Sequence, residues 1–435
     1  MMAVGETIFA QASGAGRGAI AVIRVSGAGC LAAMEKICGR VPPARRAAVR
    51  ALRDAQGAVL DRALALWLPG PGSYTGEDCA ELHVHGGPAV LRAVCAALVD
   101  GGCRPAEPGE FSRRAFINGR MDLVEAEGIA DLVAAETDAQ RRQALRQMAG
   151  EPSRQISAWA ERLLRLLAWQ EALIDFPDED LPADVSVRLA TDVAGLAAEI
   201  EAAARNSEKG TRVRDGLVVA VIGAPNVGKS SLVNALAGRD VAIVAASPGT
   251  TRDAVEVGLE LAGIPVTLID TAGLRETDDP VEAEGVRRAR ARAATADIVM
   301  HVFDASAGGY VVADRHVPMA CALRVINKVD LAATPEGELG VSARTGAGLA
   351  ELRAALEAAA ARLTLVNGGA PLSRVRHVAA LSEAATALRA AEASALPELR
   401  GEELRLAVRA LGRITGTVGV EDVLDTVFAA FCIGK

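Results

Sequence analysis

Hydrophobic and polar positions change their rhythm three times along the chain, and each change suggests a boundary. Up to about residue 119 the apolar runs are short and strand-like, GAIAVIRVSG, ALALWLP and CAELHVHGG, separated by Gly and Pro clusters. Alternation within the third run sets Glu81, His83 and His85 on one strand face, opposite Leu82 and Val84. From residue 120 to about 212 the composition turns to Ala, Leu, Arg and Glu. There Leu123, Ala126, Ala130 and Val133 follow a helical period, so a helical segment is expected, interrupted near FPDEDLP. At Leu217 the run LVVAVIG meets a Gly-rich loop and then SLVNALAG, a strand, a turn and a helix opening, and this α/β texture continues to about residue 362. Residues 363–435 are helical again and finish with FCIGK. The expected architecture is therefore an N-terminal α/β domain (1–119), a helical domain built from two pieces (120–212 and 363–435), and an α/β domain (213–362) inserted between them.

Composition narrows the classes. The 435 residues suit about three domains, and 51% apolar with 23% charged residues supports large buried cores. The longest uncharged stretch, Ala63 to Gly76, has 14 residues and two prolines, whereas a spanning helix needs about 20, so no membrane helix is expected. No signal-like segment precedes Arg17, and the expected address is the cytoplasm. Seven cysteines without a C-x-x-C pair suggest neither a disulfide framework nor a zinc ribbon. A net charge of -8 disfavours a protein that coats nucleic acid, although a local basic surface is compatible with it. Only five of the 47 basic residues are Lys: Lys36, Lys209, Lys229, Lys328 and Lys435. Three of those fall in the motifs below, where a compact ammonium does what a planar guanidinium cannot.

GAPNVGKS, residues 223–230, fits G-x-x-x-x-G-K-[ST] between a buried-type strand and a helix. Gly223 and Gly228 let backbone N–H groups wrap phosphates, Lys229 reaches the β and γ oxygens, and Ser230 can ligate magnesium. PGTTRD (248–253), DTAG (270–273), NKVD (327–330) and SAR (342–344) follow in order, the order of Ras-like P-loop GTPases. Thr251 can complete the magnesium shell, and the Gly273 N–H can meet the γ-phosphate. The Asp330 carboxylate can accept from both N1–H and the exocyclic amine of guanine, a pairing that adenine lacks and that discriminates by roughly 10⁴-fold. The nucleotide contacts are thus expected at Asn226, Val227, Gly228, Lys229, Ser230 and Ser231, then at Ala245, Ala246, Ser247, Pro248, Gly249, Thr250 and Thr251. Asp270, Thr271, Ala272 and Gly273 follow, with Asn327, Lys328 and Asp330, and Ser342, Ala343 and Arg344 at the base end. Leu274 stands where Ras-like enzymes keep a water-orienting Gln, leaving Glu276, Asp278, Asp279, Glu282 and Glu284 as acidic candidates.

With AVIRVSG, YTGEDCAELHVHGGP, PGEFSRRAFINGRMDLVEAE and the terminal FCIGK, essentially the whole chain resembles the MnmE (TrmE) family of tRNA modification GTPases. The resemblance implies that residues 1–119 bind a tetrahydrofolate derivative (5,10-methylene or 5-formyl) and dimerise. It places folate contacts on Arg24, Glu81, Arg120 and Lys435, with Arg120 standing where the family commonly has Lys. Arg24 and Glu81 also make sense as an ordinary surface ion pair. A metal on Glu81, His83 and His85 would lack a clear further ligand. The family works with the flavoprotein MnmG, which holds FAD, as a heterotetramer around a homodimer. Together they place an aminomethyl or carboxymethylaminomethyl group on C5 of the tRNA wobble uridine. The resemblance further implies Glu282 as the water-orienting catalyst. It also implies a potassium ion held by Asn226, the Ala245 and Ser247 carbonyls and Thr250, which couples hydrolysis to G-domain pairing, and a functional Cys432; Asn226 also makes sense as a loop-stabilising turn residue, and Cys432 as a helix-end thiol. The alternative is an RNA-binding assembly GTPase acting on the ribosome. Such proteins append a basic RNA-binding module, which is not visible after residue 363. A folate-dependent aminomethyltransferase with a vestigial GTPase leaves five nucleotide elements unexplained.

Overall fold

A computed structural model describes residues 5–175, 185–238, 256–270, 294–307, 322–334, 336–366 and 372–418, with 424, 427–429, 431 and 434 near the C-terminus. FPDEDLP falls outside these residues. The chain forms two compact units, Met1–Ala130 with Gly412–Lys435, and Asp131–Leu411.

The first unit is built on a six-stranded sheet. Its elements are β1 (Ile8–Gln11), β2 (Ile20–Ser26), α1 (Cys30–Cys38), β3 (Ala48–Arg53), β4 (Val59–Leu68), β5 (Cys79–His85), α2 (Pro88–Asp100), β6 (Arg104–Pro105) and α3 (Glu110–Ile117). The strand order is β3-β4-β5-β2-β1-β6, and every pair except β1–β6 is antiparallel. Alternation in β5 sends Ala80, Leu82 and Val84 into a core with Ile23, Val25, Met34 and Leu98, while Glu81 and His83 remain partly exposed. Helices α1 and α2 close that core with buried Met34, Ile37, Val94 and Leu98. A second cluster seats the end of the chain, where Val427, Phe428 and Phe431 pack with Leu123 and Ala126. Gly434 sits with φ +101°, where a Cβ would collide with the carbonyl oxygen of Gln11 on β1. Gly434 is thereby lodged at a strand end, which a larger residue would push away.

The second unit begins in α4 (Leu123–Ala134) and continues through α5 (Asp138–Met148), α6 (Glu151–Asp175) and α7 (Val185–Asp215). Its second sheet comprises β7 (Leu217–Ile222), β8 (Glu256–Leu261), β9 (Ile264–Asp270), β10 (Ile298–Asp304), β11 (Ala322–Asn327) and β12 (Leu339–Gly340). The order is β12-β11-β10-β7-β9-β8, parallel throughout except β8 against β9. Val219, Ala220 and Val221 are buried in succession, as a central strand covered on both faces requires. Helices α8 (Lys229–Ala237) and α9 (Leu349–Thr364) contribute Leu232, Leu352 and Leu356 to that core. After α9, α10 (Val375–Ala393) lies along α7, with buried Ala380, Ala384, Leu388 and Ala391 at spacings of three and four, and α11 (Pro397–Thr415) follows. The chain thus leaves a helical segment at residue 215, builds the second sheet, and returns to helices at 375.

Both chain crossings meet one carboxylate. Asp131 Oδ1 accepts from Arg214 Nε at 2.9 Å, just before β7, and from Arg374 Nη2 at 2.8 Å, just before α10. Its Oδ2 accepts from the Ser373 hydroxyl at 3.1 Å. Gln140 and Gln143 donate to the carbonyls of Arg214 and Gly210, satisfying the open end of α7.

In the first unit, Glu110 is the buried charge that fixes α3, its side chain only 2% exposed. Arg104 reaches it twice at 2.7 and 2.9 Å, Arg114 at 3.0 Å and the Glu107 N–H at 2.9 Å. Burial would raise its pKa, but Arg104, the Glu107 N–H and Arg114 outweigh it and hold the carboxyl below the usual range. Its contribution is complete above the ordinary value of 4.5 and disappears as pH falls through the depressed folded value. Glu110→Gln should destabilise this unit by about 3 kcal/mol at neutral pH. It should also flatten the stability loss below pH 4.5, measured by hydrogen exchange in β1 and β2.

Candidate functional site

The carboxyl ends of β7, β9, β10 and β11 share one edge of the parallel sheet, and the loops there gather the motif residues. Gly228, at φ +93°, ends the phosphate-type loop against Asn327, where a Cβ would overlap the Asn327 amide nitrogen. Asn226 is itself left-handed, at φ +63°. The loop is pinned from the far side of the site. Asn327 Nδ2 donates to the Val227 carbonyl at 2.8 Å, and Lys328 Nζ to the Asn226 carbonyl at 2.7 Å.

Lys229 is 5% exposed and donates to the Gly223 and Ala224 carbonyls at 2.8 and 2.9 Å. Burial pushes its ammonium pKa down, with the Asp270 carboxylate opposing that shift. Ser230, in the first turn of α8, donates its hydroxyl to Asp270 at the end of β9. A hydroxyl and a carboxylate meeting beside a phosphate loop form a hard-oxygen donor set that suits magnesium.

At the base end, Asp330 is held by both oxygens. The Ser342 hydroxyl donates to Oδ1 at 2.7 Å and Arg344 to Oδ2 at 2.5 Å. The Ser342 hydrogen bond, then Arg344, keep its pKa below the usual range, so it is an acceptor across the physiological range. Ala343 N–H donates to Asn327 Oδ1 at 3.2 Å, joining the SAR and NKVD loops. Asn327, Lys328, Asp330, Ser342, Ala343 and Arg344 are therefore assembled with residues 226–230 and Asp270.

The fold adds Asp304, at the end of β10, which sequence reasoning missed. It pairs with Lys328 at 2.6 Å and takes the Ser306 hydroxyl and N–H, which keep its carboxyl ionised against the cost of burial. Its only sequence signal is an Asp closing the apolar run IVMHVFD.

In the first unit, Arg24 on β2 and Glu81 on β5 are direct cross-strand partners, paired at 2.9 Å. The Arg24 guanidinium lies 4.9 Å from the Tyr74 ring centre and 5.9 Å from that of Phe111. Tyr74 exchanges a 2.8 Å hydrogen bond with Ser112, and neither was foreseen from the sequence. The stem of Arg120 adjoins Gly76, two residues beyond Tyr74. Gly434, next to Lys435, meets Gln11, whose strand partner is Ile23 beside Arg24. Around one strand pair the unit thus gathers a cation, a carboxylate and an aromatic ring, with the chain end nearby. His83 faces Glu81 at 3.5 Å, whereas His85 turns to Asp61 at 2.8 Å, so the two imidazoles have different carboxylates. Among the described residues, no group of three or more His, Cys, Asp or Glu is placed to hold a metal ion.

The family model described as "MnmE helical domain" matches residues 123–432, and "GTP-binding protein TrmE N-terminus" matches 7–120. A protein of Gluconacetobacter diazotrophicus described as "tRNA modification GTPase MnmE" is 59% identical over 98% of each chain. The chain belongs to the MnmE family. Relatives so described from Granulibacter bethesdensis and Acidiphilium cryptum are each 54% identical, over 99% and 100% of both chains. Among solved structures, the FeoB G-domain from Methanococcus jannaschii is 25% identical over 33% of this chain and 97% of that one, with a TM-score of 0.25.

Of the remaining MnmE-type positions, Ala245 to Thr251, Thr271 to Gly273, Glu282, Cys432 and Lys435 lie outside the described residues. Ser231 follows Ser230 in α8. Among the described residues no helix is long and apolar enough to cross a membrane.

Lys328 joins the phosphate loop to Asp304, and each bond involves a charge, worth about 1.5–3 kcal/mol. Lys328→Met should weaken guanine-nucleotide binding by about 10–100-fold. Circular dichroism should remain unchanged, and titration calorimetry gives the affinity.

Proposed function

We propose that this chain is the GTP-hydrolysing component of tRNA wobble-uridine C5 modification, adding an aminomethyl or carboxymethylaminomethyl group with the flavoprotein MnmG. The observation that carries the reading is Asp330, an ionised carboxylate collared by Ser342 and Arg344 and joined through Asn327 to the phosphate loop. A site that accepts two protons from guanine there leaves Asp330 unpaired with adenine. Lys229 exchanges its two loop carbonyls for the β and γ oxygens of GTP. Ser230, with Thr251, holds magnesium. Glu282 orients the attacking water in place of the glutamine that Leu274 displaces, and Cys432 is a further functional candidate.

Residues 1–119 bind a tetrahydrofolate derivative, with Arg24, Glu81, Arg120 and Lys435 as its charged contacts and Tyr74 holding Arg24. They also form the homodimer. The helical segments 120–212 and 363–435 carry the GTPase segment 213–362. FAD enters with MnmG. Membership of the MnmE family supports the tRNA substrate over the ribosome-assembly alternative.

In cells lacking the gene, nucleoside mass spectrometry of tRNA should show unmodified wobble uridine. The wild-type chain should restore the modification, and Lys229→Ala should not. Normal wobble uridine with a ribosome-assembly defect would favour the alternative.

Potassium is the proposed replacement for an arginine finger, which supplies roughly 10³ to 10⁵ in rate elsewhere. Its ligands are the neutral oxygens of Asn226 and Thr250 and the Ala245 and Ser247 carbonyls. Turnover and G-domain pairing should both be high in potassium and low in sodium at equal ionic strength. Asn226→Ala should remove the difference in steady-state phosphate release.

A further inference from the structure

The N-terminal sheet has one strongly basic edge. Between residues 39 and 62 the chain carries Arg40, Arg45, Arg46, Arg50, Arg53 and Arg62 against two carboxylates, Asp54 and Asp61, in a protein whose net charge is -8. Strand β3 is the outermost strand and pairs only with β4, so the arginines lie along an open edge, its approach loop and its hairpin. All but Arg50 are exposed.

Elsewhere arginine is mostly neutralised. Arg24, Arg104, Arg114, Arg162, Arg389 and Arg405 all pair with carboxylates. Among the described residues, none of the six edge arginines forms an ion pair. Three of the six heads rest on main-chain oxygens instead, Arg45 reaching the Pro69 carbonyl at 3.5 Å. Arg50 donates to the Arg40 and Val49 carbonyls at 2.7 and 2.9 Å, and Arg53 to the Gly57 carbonyl at 2.7 Å. A carbonyl orients a guanidinium without cancelling its charge. The two nearby aspartates are otherwise engaged: Asp54 accepts the Gln56 and Ala58 N–H groups inside the hairpin, and Asp61 takes the N–H and ring nitrogen of His85.

We infer that this β3–β4 edge is the surface on which the chain docks the phosphate backbone of its tRNA. The inference rests on the proposed tRNA substrate and adds where that substrate is held. Residues 39–62 contain no Phe, Tyr or Trp, so the edge has no platform for stacking bases and reads phosphates without reading sequence. Arginine forks match phosphate oxygens two at a time, and an array held without carboxylates presents its charge unneutralised. Choice among tRNAs is made elsewhere, and this edge supplies affinity and orientation.

The test is tRNA-transcript binding to the full chain across a salt series. Relative to wild type, Arg45→Gln/Arg46→Gln/Arg53→Gln should bind at least about tenfold more weakly, with the slope of log affinity against log salt reduced by about 2–3, near one per lost phosphate contact. GTP turnover without tRNA should be unchanged, and hydrogen exchange in β1 and β2 should match wild type, which reports folding of the first unit. Should the triple variant misfold, Arg46→Gln alone should lower the slope by about 1. Arg141→Gln/Arg142→Gln, exposed but paired with Asp138, should leave tRNA binding intact. A wild type that binds tRNA with an unaltered triple variant overturns the inference. So does loss of binding to phosphatidylglycerol vesicles with tRNA binding retained. A wild-type chain that binds no tRNA at low salt rejects the substrate reading itself, and this surface with it.

Discussion

The Asp131 carboxylate ties together the two places where the chain enters and leaves the second sheet. A chain that leaves a helical segment at 215 and re-enters it at 375 must bring both crossings to one place, or the inserted sheet has no fixed base. Asp131 does this with three hydrogen bonds, to Arg214 on the way in and to Ser373 and Arg374 on the way out. Its side chain is 10% exposed, so those bonds are little screened by water. Around it, Lys209 of α7 donates to the Leu365 carbonyl just past α9. Arg212 and the Val218 N–H share Asp297 at the head of β10, which ties the end of α7 to the first paired strands. The strand ends that carry the nucleotide residues inherit their positions from this junction.

At those strand ends a second constraint appears, the joining of phosphate loop to base loop. Asn327 and Lys328 act on both. Through the Val227 and Asn226 carbonyls they hold the loop that receives phosphates, and through Ala343 and Asp304 they are held themselves. Lys328 is left-handed, at φ +66°, a conformation that costs a non-glycine residue about 1–2 kcal/mol and persists because these bonds fix it. The loop of residues 226–228 and the loop at Ala343 are therefore held by one set of bonds.

The gathering of the motif loops at one sheet edge was legible because their parts are local: a glycine where the loop turns, a lysine and a serine opening a helix, and Asp330 three residues after Asn327. The alternation in CAELHVHGG likewise gave the correct buried face of β5. Contacts between residues distant in sequence left no periodic trace. Asp131 meets Arg374 across 243 positions, and Tyr74 meets Arg24 with α1, β3 and β4 between them in the chain. Asp304 needed the β10–β11 pairing to be matched with Lys328. The basic edge was concealed by the net charge of the whole chain and by its position in an antiparallel hairpin rather than a separate basic module.

The proposed function has Asp330 read guanine, and exchanging the base against that one carboxylate tests this most directly. Titration calorimetry of the wild-type chain should show GTP bound at least about 10³-fold more tightly than ATP. Asp330→Asn replaces one acceptor oxygen by an N–H donor, which repels the amine of guanine and suits the 2-oxo group of xanthine. That variant should lose GTP and gain xanthosine triphosphate. ATP affinity within about tenfold of GTP in the wild type, or an Asp330→Asn variant that still prefers GTP to xanthosine triphosphate, would contradict it.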